Sequence, residues 1–310
     1  MGMAEVVPGV SGGTIAFITG IYERLINAIK SIDGDFFRAL FSFRFATAFR
    51  HIDGFFLLSL MIGMVVGIVT AIFTVSYLLE EYPPAVWAFF FGLIVASTIY
   101  ILRQVERWDI LHVCLVVVFT AIAYFVVASV PAEGSTGYLY IFLSGMIAIC
   151  ALMLPGISGS FILLLMGMYK FITGTLRELL MGPTVENIMT MFVFGLGCLT
   201  GLAAFSRVLS WTFKKYKTQT LAALSGFMIG SLWKIWPWRL PLSWMDEGGD
   251  IFFSGDSTFP DNTEHIKLLS ELNVMPNAYT SGPNLLLISI ISGLVGFAIV
   301  FLLDRMGDGE

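Results

Sequence analysis

The sequence predicts an all-α integral membrane protein, an inverted repeat with two re-entrant helical hairpins and about six full transmembrane helices. Three observations carry this expectation. Of 310 residues, 57% are hydrophobic and 13% charged, against roughly 45–50% apolar and about 25% charged in ordinary soluble domains. Uncharged apolar runs at 55–79, 85–102, 113–130, 138–169, 188–206, 218–233 and 285–303 tile the chain, and most reach the roughly 17–25 residues that a bilayer crossing needs. Finally, a Pro-Gly-x-Ser-Gly motif occurs twice, at 8–12 and at 155–159.

The repeat is the most informative of the three. Pro8-Gly9-Val10-Ser11-Gly12-Gly13-Thr14 returns as Pro155-Gly156-Ile157-Ser158-Gly159-Ser160-Phe161. At the same spacing Ile15 meets Ile162, Gly20 meets Gly167 and Tyr22 meets Tyr169; downstream, at a slightly shorter offset, Gly63 meets Gly197, Gly67 meets Gly201, Tyr82 meets Tyr216 and Gly92 meets Gly226. Repeat one is placed at 1–110 and repeat two at 138–240, within a single membrane domain spanning 1–310. An acidic loop at 237–283 is expected to be irregular and extracytoplasmic, followed by a last span at 284–304. Seventeen apolar residues, Tyr138 to Leu154, precede the second motif and only seven precede the first, which predicts that the natural start carries a longer helical arm.

Within 138–169 an uncharged stretch of 32 residues is broken midway by Pro155-Gly156. At 1.5 Å per residue it is too long for one crossing and too short for two, so two half-helices folded back on each other fit best. Proline bars helix continuation, and Gly156, Gly159 and the small Ser158 and Ser160 tolerate close backbone approach. Broken backbone survives at membrane depth only inside protein or beside a water-filled cavity. The same logic applies to Pro8 through Thr14. Three crossings between the hairpins would open them toward opposite faces, the inverted-repeat arrangement of many secondary transporters, whose half-helix starts point at anionic groups.

The segment 23–54, with Arg24, Lys30, Arg38, Arg44 and Arg50 among phenylalanines, is expected at the membrane interface. All seven tryptophans (Trp87, Trp108, Trp211, Trp233, Trp236, Trp238 and Trp244) lie at or just beyond the ends of apolar runs, as interfacial anchors do. Basic residues outside the spans bias one side, but with or without a full crossing at the second motif, so charge does not decide the topology. A net charge of −5 gives no basic field for nucleic acid. Cys114, Cys150 and Cys198 sit apart inside apolar runs and His51, His112 and His265 are scattered, so no zinc site, disulfide framework or cofactor is expected.

At these residues the sequence resembles the polyprenyl-phosphate transporter family, the undecaprenyl-phosphate translocases of the PopT type. The resemblance rests on Glu5-Val6-Val7-Pro8-Gly9-Val10-Ser11-Gly12-Gly13-Thr14, on Gly20-Ile21-Tyr22-Glu23 and on the second Pro155-Gly156-Ile157-Ser158-Gly159 copy. Glu5 stands where the family often has aspartate. The resemblance implies return of undecaprenyl phosphate from the outer to the inner leaflet of the bacterial cytoplasmic membrane for reuse in cell-envelope synthesis, with membrane lipids as neighbours and no enzymatic step. The physics of such a lipid agrees. Drawing tens of carbons through water at about 0.8 kcal/mol per CH₂ would be prohibitive, so a carrier leaves the tail in lipid and shields only the phosphate.

The expected phosphate ligands are the backbone and hydroxyl groups of Gly9, Ser11, Gly12, Gly13, Thr14, Gly156, Ser158, Gly159 and Ser160. For each hydroxyl, helix packing or back-bonding to a carbonyl is the alternative. Arg207 follows a long uncharged run. A membrane-buried arginine carries a penalty of roughly 2.5–3.5 kcal/mol that calls for a partner or a function; it is expected to grip phosphate, resting against Glu5 when empty, with snorkelling beside Trp211 and Lys214 as the alternative. Glu5 and Glu23 are candidates for proton coupling, and Tyr22, Tyr169 and Lys170 for gating at the hairpin mouths; sodium coupling and the oligomeric state stay open. A membrane phosphatase would need a nucleophile or metal cluster that the spans do not offer. A secondary transporter of a small ion or organic anion shares the same architecture.

Overall fold

A computed structural model describes residues 1–5, 11–129, 134–245, 251–253 and 267–307. Pro8 and Gly9 lie outside the described residues. The chain opens with two very short helices, α1 (Gly2–Glu5) and α2 (Gly12–Ile18), and three further short ones, α3 (Tyr22–Lys30), α4 (Gly34–Phe41) and α5 (Phe45–His51). Long helices α6 (Gly54–Glu81), α7 (Pro83–Arg103) and α8 (Ile110–Ala128) follow. Then come α9 (Tyr138–Met153), α10 (Gly159–Leu165), α11 (Tyr169–Met181), α12 (Val185–Lys215) and α13 (Lys217–Ser231), and, after a small sheet, α14 (Leu286–Gly307).

The repeat is visible element by element. α2 and α10 are both seven residues long and start at the paired Gly12 and Gly159. The turns that follow use left-handed glycines, Gly20 at φ +70° and Gly167 at φ +65°, a conformation open to glycine at little cost. α3 and α11 begin at the paired Tyr22 and Tyr169. α6 and α12 end at the paired Tyr82 and Tyr216, whose backbone angles nearly coincide at φ −133°, ψ 49° and φ −137°, ψ 52°.

Close backbone contact makes the helical core. A Cβ on Gly92 of α7 would stand 2.0 Å from the Gly293 carbonyl oxygen of α14, and one on its repeat partner Gly226 of α13 would stand 2.6 Å from the Val116 carbonyl oxygen of α8. Small residues let helices approach this closely, which is what drives association where lipid removes the hydrophobic force. α7 and α13 are accordingly the most buried of the longer helices, with Ile94, Ile101, Leu221 and Met228 fully enclosed. α6 is the opposite case: Met61, Val65, Val69 and Phe73 on it are exposed, a surface suited to lipid.

Among the described residues four helices, α6, α7, α8 and α12, have the length and composition of a membrane crossing, and a fifth arises if the bent pair α10 and α11 counts as one span. The sequence expectation of about six includes the runs 218–233 and 285–303. The helix of the first run, α13, has 15 residues, about 22 Å at 1.5 Å per residue and shorter than the hydrocarbon layer; the helix of the second, α14, has 22 residues, about 33 Å at the same rise.

Two expectations are refined. The basic, Phe-rich segment becomes the three helices α3 to α5, with Asp33 capping α4 by accepting from the N–H groups of Asp35 and Phe36, and with Phe41 and Phe43 more than three-quarters exposed. The acidic loop 237–283, expected to be irregular, instead contains an antiparallel sheet of β1 (Arg239–Met245), β2 (Ile251–Phe253) and β3 (Lys267–Asn273), in the order β2-β1-β3. Prolines and acids hid the alternation of Leu240, Leu242 and Trp244. The loop is tied down by the indole N–H groups of Trp236 and Trp238, which donate to the carbonyl oxygens of Val274 and Asn284.

Candidate functional site

The two motif copies meet in the interior. Ser11, fully buried, caps α2: its Oγ accepts from the Gly13 N–H at 3.1 Å and lies 3.5 Å from the Leu154 carbonyl oxygen of the other copy. Thr14, also fully buried, accepts from the Gly156 N–H through Oγ1 at 3.1 Å. The Tyr22 hydroxyl donates to the Met153 carbonyl oxygen at 2.6 Å. Helix breaks leave orphaned N–H and C=O groups, and here side chains of the first copy, Ser11, Thr14 and Tyr22, bond backbone groups at the second. Gly156 takes φ +91°, and a Cβ there would press on Ser231 Oγ at 2.8 Å.

The N–H groups at the start of α2 are engaged within the hairpin. The Gly12 N–H donates to Glu5 Oε1 at 2.8 Å, so a carboxylate already sits where the positive helix end attracts negative charge. In the second copy, Ser158 and Ser160 hydrogen-bond to each other at 2.8 Å, with Ser160 exposed and Gly159 buried. Ser158 makes no side-chain cap to α10.

The mouths of the hairpins differ. α3 lies against α12 of the other half: Tyr22 and Phe17 cluster with Phe213, the Lys30 ammonium donates to Ser210 Oγ, Ser210 donates to Asn27, and Glu23 pairs with Lys217 at 3.4 Å. α11 packs instead on α10 and α12 of its own half. Lys170, the counterpart of Glu23, has its ammonium nitrogen buried without a hydrogen-bond partner among the described residues.

Arg207 is not brought to the motif. It is exposed on α12, and its Nη1 donates to the Ala203 carbonyl oxygen, one turn back on the same helix, at 2.6 Å. Among the described residues no ion pair joins it to Glu5, whose carboxylate goes to Gly12 instead. Gly9 lies outside the described residues.

Three cavities adjoin this centre. One of about 700 Å³ is lined by apolar residues of α1, α2, α6, α7 and α14, among them Ala4, Ile15, Val75, Leu78 and Phe90. A second, of about 940 Å³, lies between α8, α13 and the loop, bordered by Val117, Tyr124, Gly230 and Trp233. A third, of about 400 Å³, runs from Phe161, Leu164 and Leu165 of α10 to Lys234, Arg239 and Glu271 beside the sheet. Sequence reasoning missed this last cluster; the available signal was an arginine and a lysine at the stem of an otherwise acidic loop. No group of three or more His, Cys, Asp or Glu side chains among the described residues could hold a metal ion.

Residues 1–251 match the family model described as undecaprenyl phosphate translocase-like. The chain belongs to this family. Undecaprenyl phosphate translocase-like chains with curated names include a polyprenyl-phosphate transporter of Vibrio cholerae serotype O1, 38% identical over 99% of this chain and 94% of the relative. A polyprenyl-phosphate transporter of Staphylococcus aureus is 30% identical over 76% of this chain and 83% of its own length. No solved structure matches the chain. Both motif copies and their mutual contacts fall inside the region matched to the undecaprenyl phosphate translocase-like family.

Proposed function

We propose that this multi-pass membrane protein is a polyprenyl-phosphate transporter that returns undecaprenyl phosphate from the outer to the inner leaflet of the bacterial cytoplasmic membrane. The phosphate is bound between the two Pro-Gly-x-Ser-Gly hairpins near the bilayer midplane, and the two halves exchange access by opening one hairpin mouth while closing the other. The observation that carries this is the interior contact between the copies, where Thr14 and Gly156, and Ser11 and Leu154, share their polar groups. Membership of the family and the names of the two relatives support the substrate.

The halves act as an inverted repeat with re-entrant hairpins at α1–α2 and α9–α10. The contact of α3 with α12, without an equivalent contact of α11 with α6 among the described residues, supports one closed and one open mouth. The polyprenyl tail stays in lipid and enters the apolar cavity beside Ala4 and Ile15, so that only the head group is shielded. Binding requires Glu5 to release the Gly12 N–H, and a proton taken up by Glu5 removes its charge at that step, coupling transport to the proton gradient. Arg207, now back-bonded, swings to the phosphate as a bidentate donor. No chemical step is needed, so the protein is a carrier and not an enzyme.

The decisive experiment follows the leaflet distribution of undecaprenyl phosphate in proteoliposomes, with a probe reporting only outward-facing head groups, for the wild type and Arg207→Ala. Accelerated exchange that the variant loses supports the full proposal. Acceleration retained in the variant removes Arg207 from the site. No acceleration by correctly inserted wild type, together with transport of soluble anions, favours a small-anion carrier.

A further inference from the structure

A second polar cluster lies away from the hairpin contact, in the cavity of about 400 Å³ between α10 and the sheet. Arg239, at the first position of β1, is 8% exposed. Its Nη1 donates to Glu271 Oε2 at 2.6 Å and to the Lys234 carbonyl oxygen at 3.0 Å, its guanidinium carbon lies 3.8 Å over the Trp87 ring, and its Nε is buried without a partner among the described residues. The Lys234 ammonium is 3.6 Å from the same Glu271 oxygen and 5.3 Å from the ring centre of Phe161 on α10.

Two cations therefore share one carboxylate oxygen, and among the described residues the cluster carries one unbalanced positive charge. Burial pushes both the Lys234 ammonium and the Arg239 guanidinium below their usual pKa values, against the opposing pull of Glu271. An incompletely paired buried charge is unfavourable unless something else completes it. A planar guanidinium with a free N–H beside a compact ammonium is the combination that recognises phosphate oxygens. Phe161, Leu164 and Leu165 form an apolar wall on the same cavity, suited to the first carbons of a chain.

We propose that Lys234 and Arg239 form a docking site for the phosphomonoester head of a prenyl phosphate, on the sheet side of the second hairpin, from which the head passes to the Ser158–Ser160 region. This rests on the polyprenyl-phosphate reading for the identity of the tail, but not for the anion chemistry. Glu271 holds the two cations in place and competes with the incoming phosphate for them.

The test is binding of farnesyl phosphate, inorganic phosphate and uncharged farnesol to the full chain in detergent, read by the fluorescence of Trp87 and Trp233, for the wild type, Lys234→Gln, Lys234→Arg and Glu271→Gln. We expect Lys234→Gln to weaken farnesyl phosphate about tenfold, the scale of one charge-assisted hydrogen bond. Lys234→Arg should restore most of that loss and Glu271→Gln should tighten binding. A purely structural ion network predicts otherwise, because losing Glu271 would then weaken binding or leave it unchanged. Unchanged affinity in both Lys234→Gln and Glu271→Gln, with thermal unfolding as in the wild type, overturns the site. Inorganic phosphate binding as tightly as farnesyl phosphate overturns the lipid assignment and leaves a free-phosphate site. Lipid exchange in proteoliposomes separates the two proposals: a wild type that transports, with Lys234→Gln equal to it in binding, refutes this site alone. A wild type that binds as expected but moves no lipid refutes the transport proposal alone.

Discussion

The first motif copy buries its hydroxyls and the second exposes one, although the two share the same sequence pattern. Ser11 and Thr14 are fully buried and tied to backbone groups, and Tyr22 is bonded to Met153. In the second copy, Ser158 and Ser160 bond only to each other at an exposed edge, and Phe161 lines a cavity with cations at its far end. The contrast shows that the motif by itself specifies a break and not a state. The helices that follow the two copies pack differently: α3 docks on α12 through Asn27, Lys30 and Phe213, whereas α11 lies along α10 and α12.

The strongest way to break this comparison is at Gly156. A valine there must adopt a left-handed backbone and push Ser231 and the Phe227–Met228 backbone aside, so Gly156→Val should lose about 3 kcal/mol or more in SDS-driven unfolding. Next is the paired substitution at the helix starts. A Cβ on Gly159 would stand 2.6 Å from the Ala148 backbone oxygen, while one on Gly12 would stand 2.4 Å from the movable carboxylate of Glu5. Gly159→Ala should therefore cost about 1–3 kcal/mol and Gly12→Ala less than about 1 kcal/mol. Equal losses would show that Glu5 is held as rigidly as backbone.

Hydroxyl removal sharpens the same contrast. Thr14→Val leaves the buried Gly156 N–H without its acceptor and should destabilise by about 1–3 kcal/mol. Ser160→Ala should leave stability within about 0.5 kcal/mol while slowing lipid exchange in proteoliposomes, because its exposed hydroxyl can exchange its bond to Ser158 for one to a substrate. A Ser160→Ala variant with full exchange removes this hydroxyl from the path.

The smallest effect expected is with acid. Asp33 is held below the usual aspartate range by the Phe36 N–H and then by His51, and Asp53 by its hydrogen bond to Arg24. Carboxylates lowered on folding contribute stability that is present above their unfolded pKa and lost as pH falls through the folded value. The α3–α5 segment should thus loosen only below about pH 4, the usual aspartate range, seen as faster hydrogen exchange at 31–53. Exchange unchanged by acid would show that these carboxylates do not hold the segment.

The core was legible where a residue type has only one physical use. Glycines paired by the repeat, such as Gly92 with Gly226, mark close helix contacts in both halves, and Tyr82 with Tyr216 marks the same bend. The sheet was not legible, because Pro241 and the surrounding acids mask its alternation, and strand pairing is long-range information. Arg207 was singled out by a local rule about charge in apolar runs, yet its side chain bonds within its own helix. Arg239 and Lys234 drew no such attention, because the loop around them is polar and only folding buries them.

Composition and the doubled Pro-Gly-x-Ser-Gly break are properties of the chain itself. They determined that the chain carries runs apolar enough to cross a membrane, that part of its sequence is repeated, and where proline bars a helix from continuing, since proline and the length of apolar runs act locally. Only the tertiary structure decided that side chains of the first copy bond backbone groups at the second, that α3 lies against α12, and that two cations share one carboxylate beside α10. Those outcomes depend on which surfaces meet, and residues more than a hundred positions apart carry no local signal of each other.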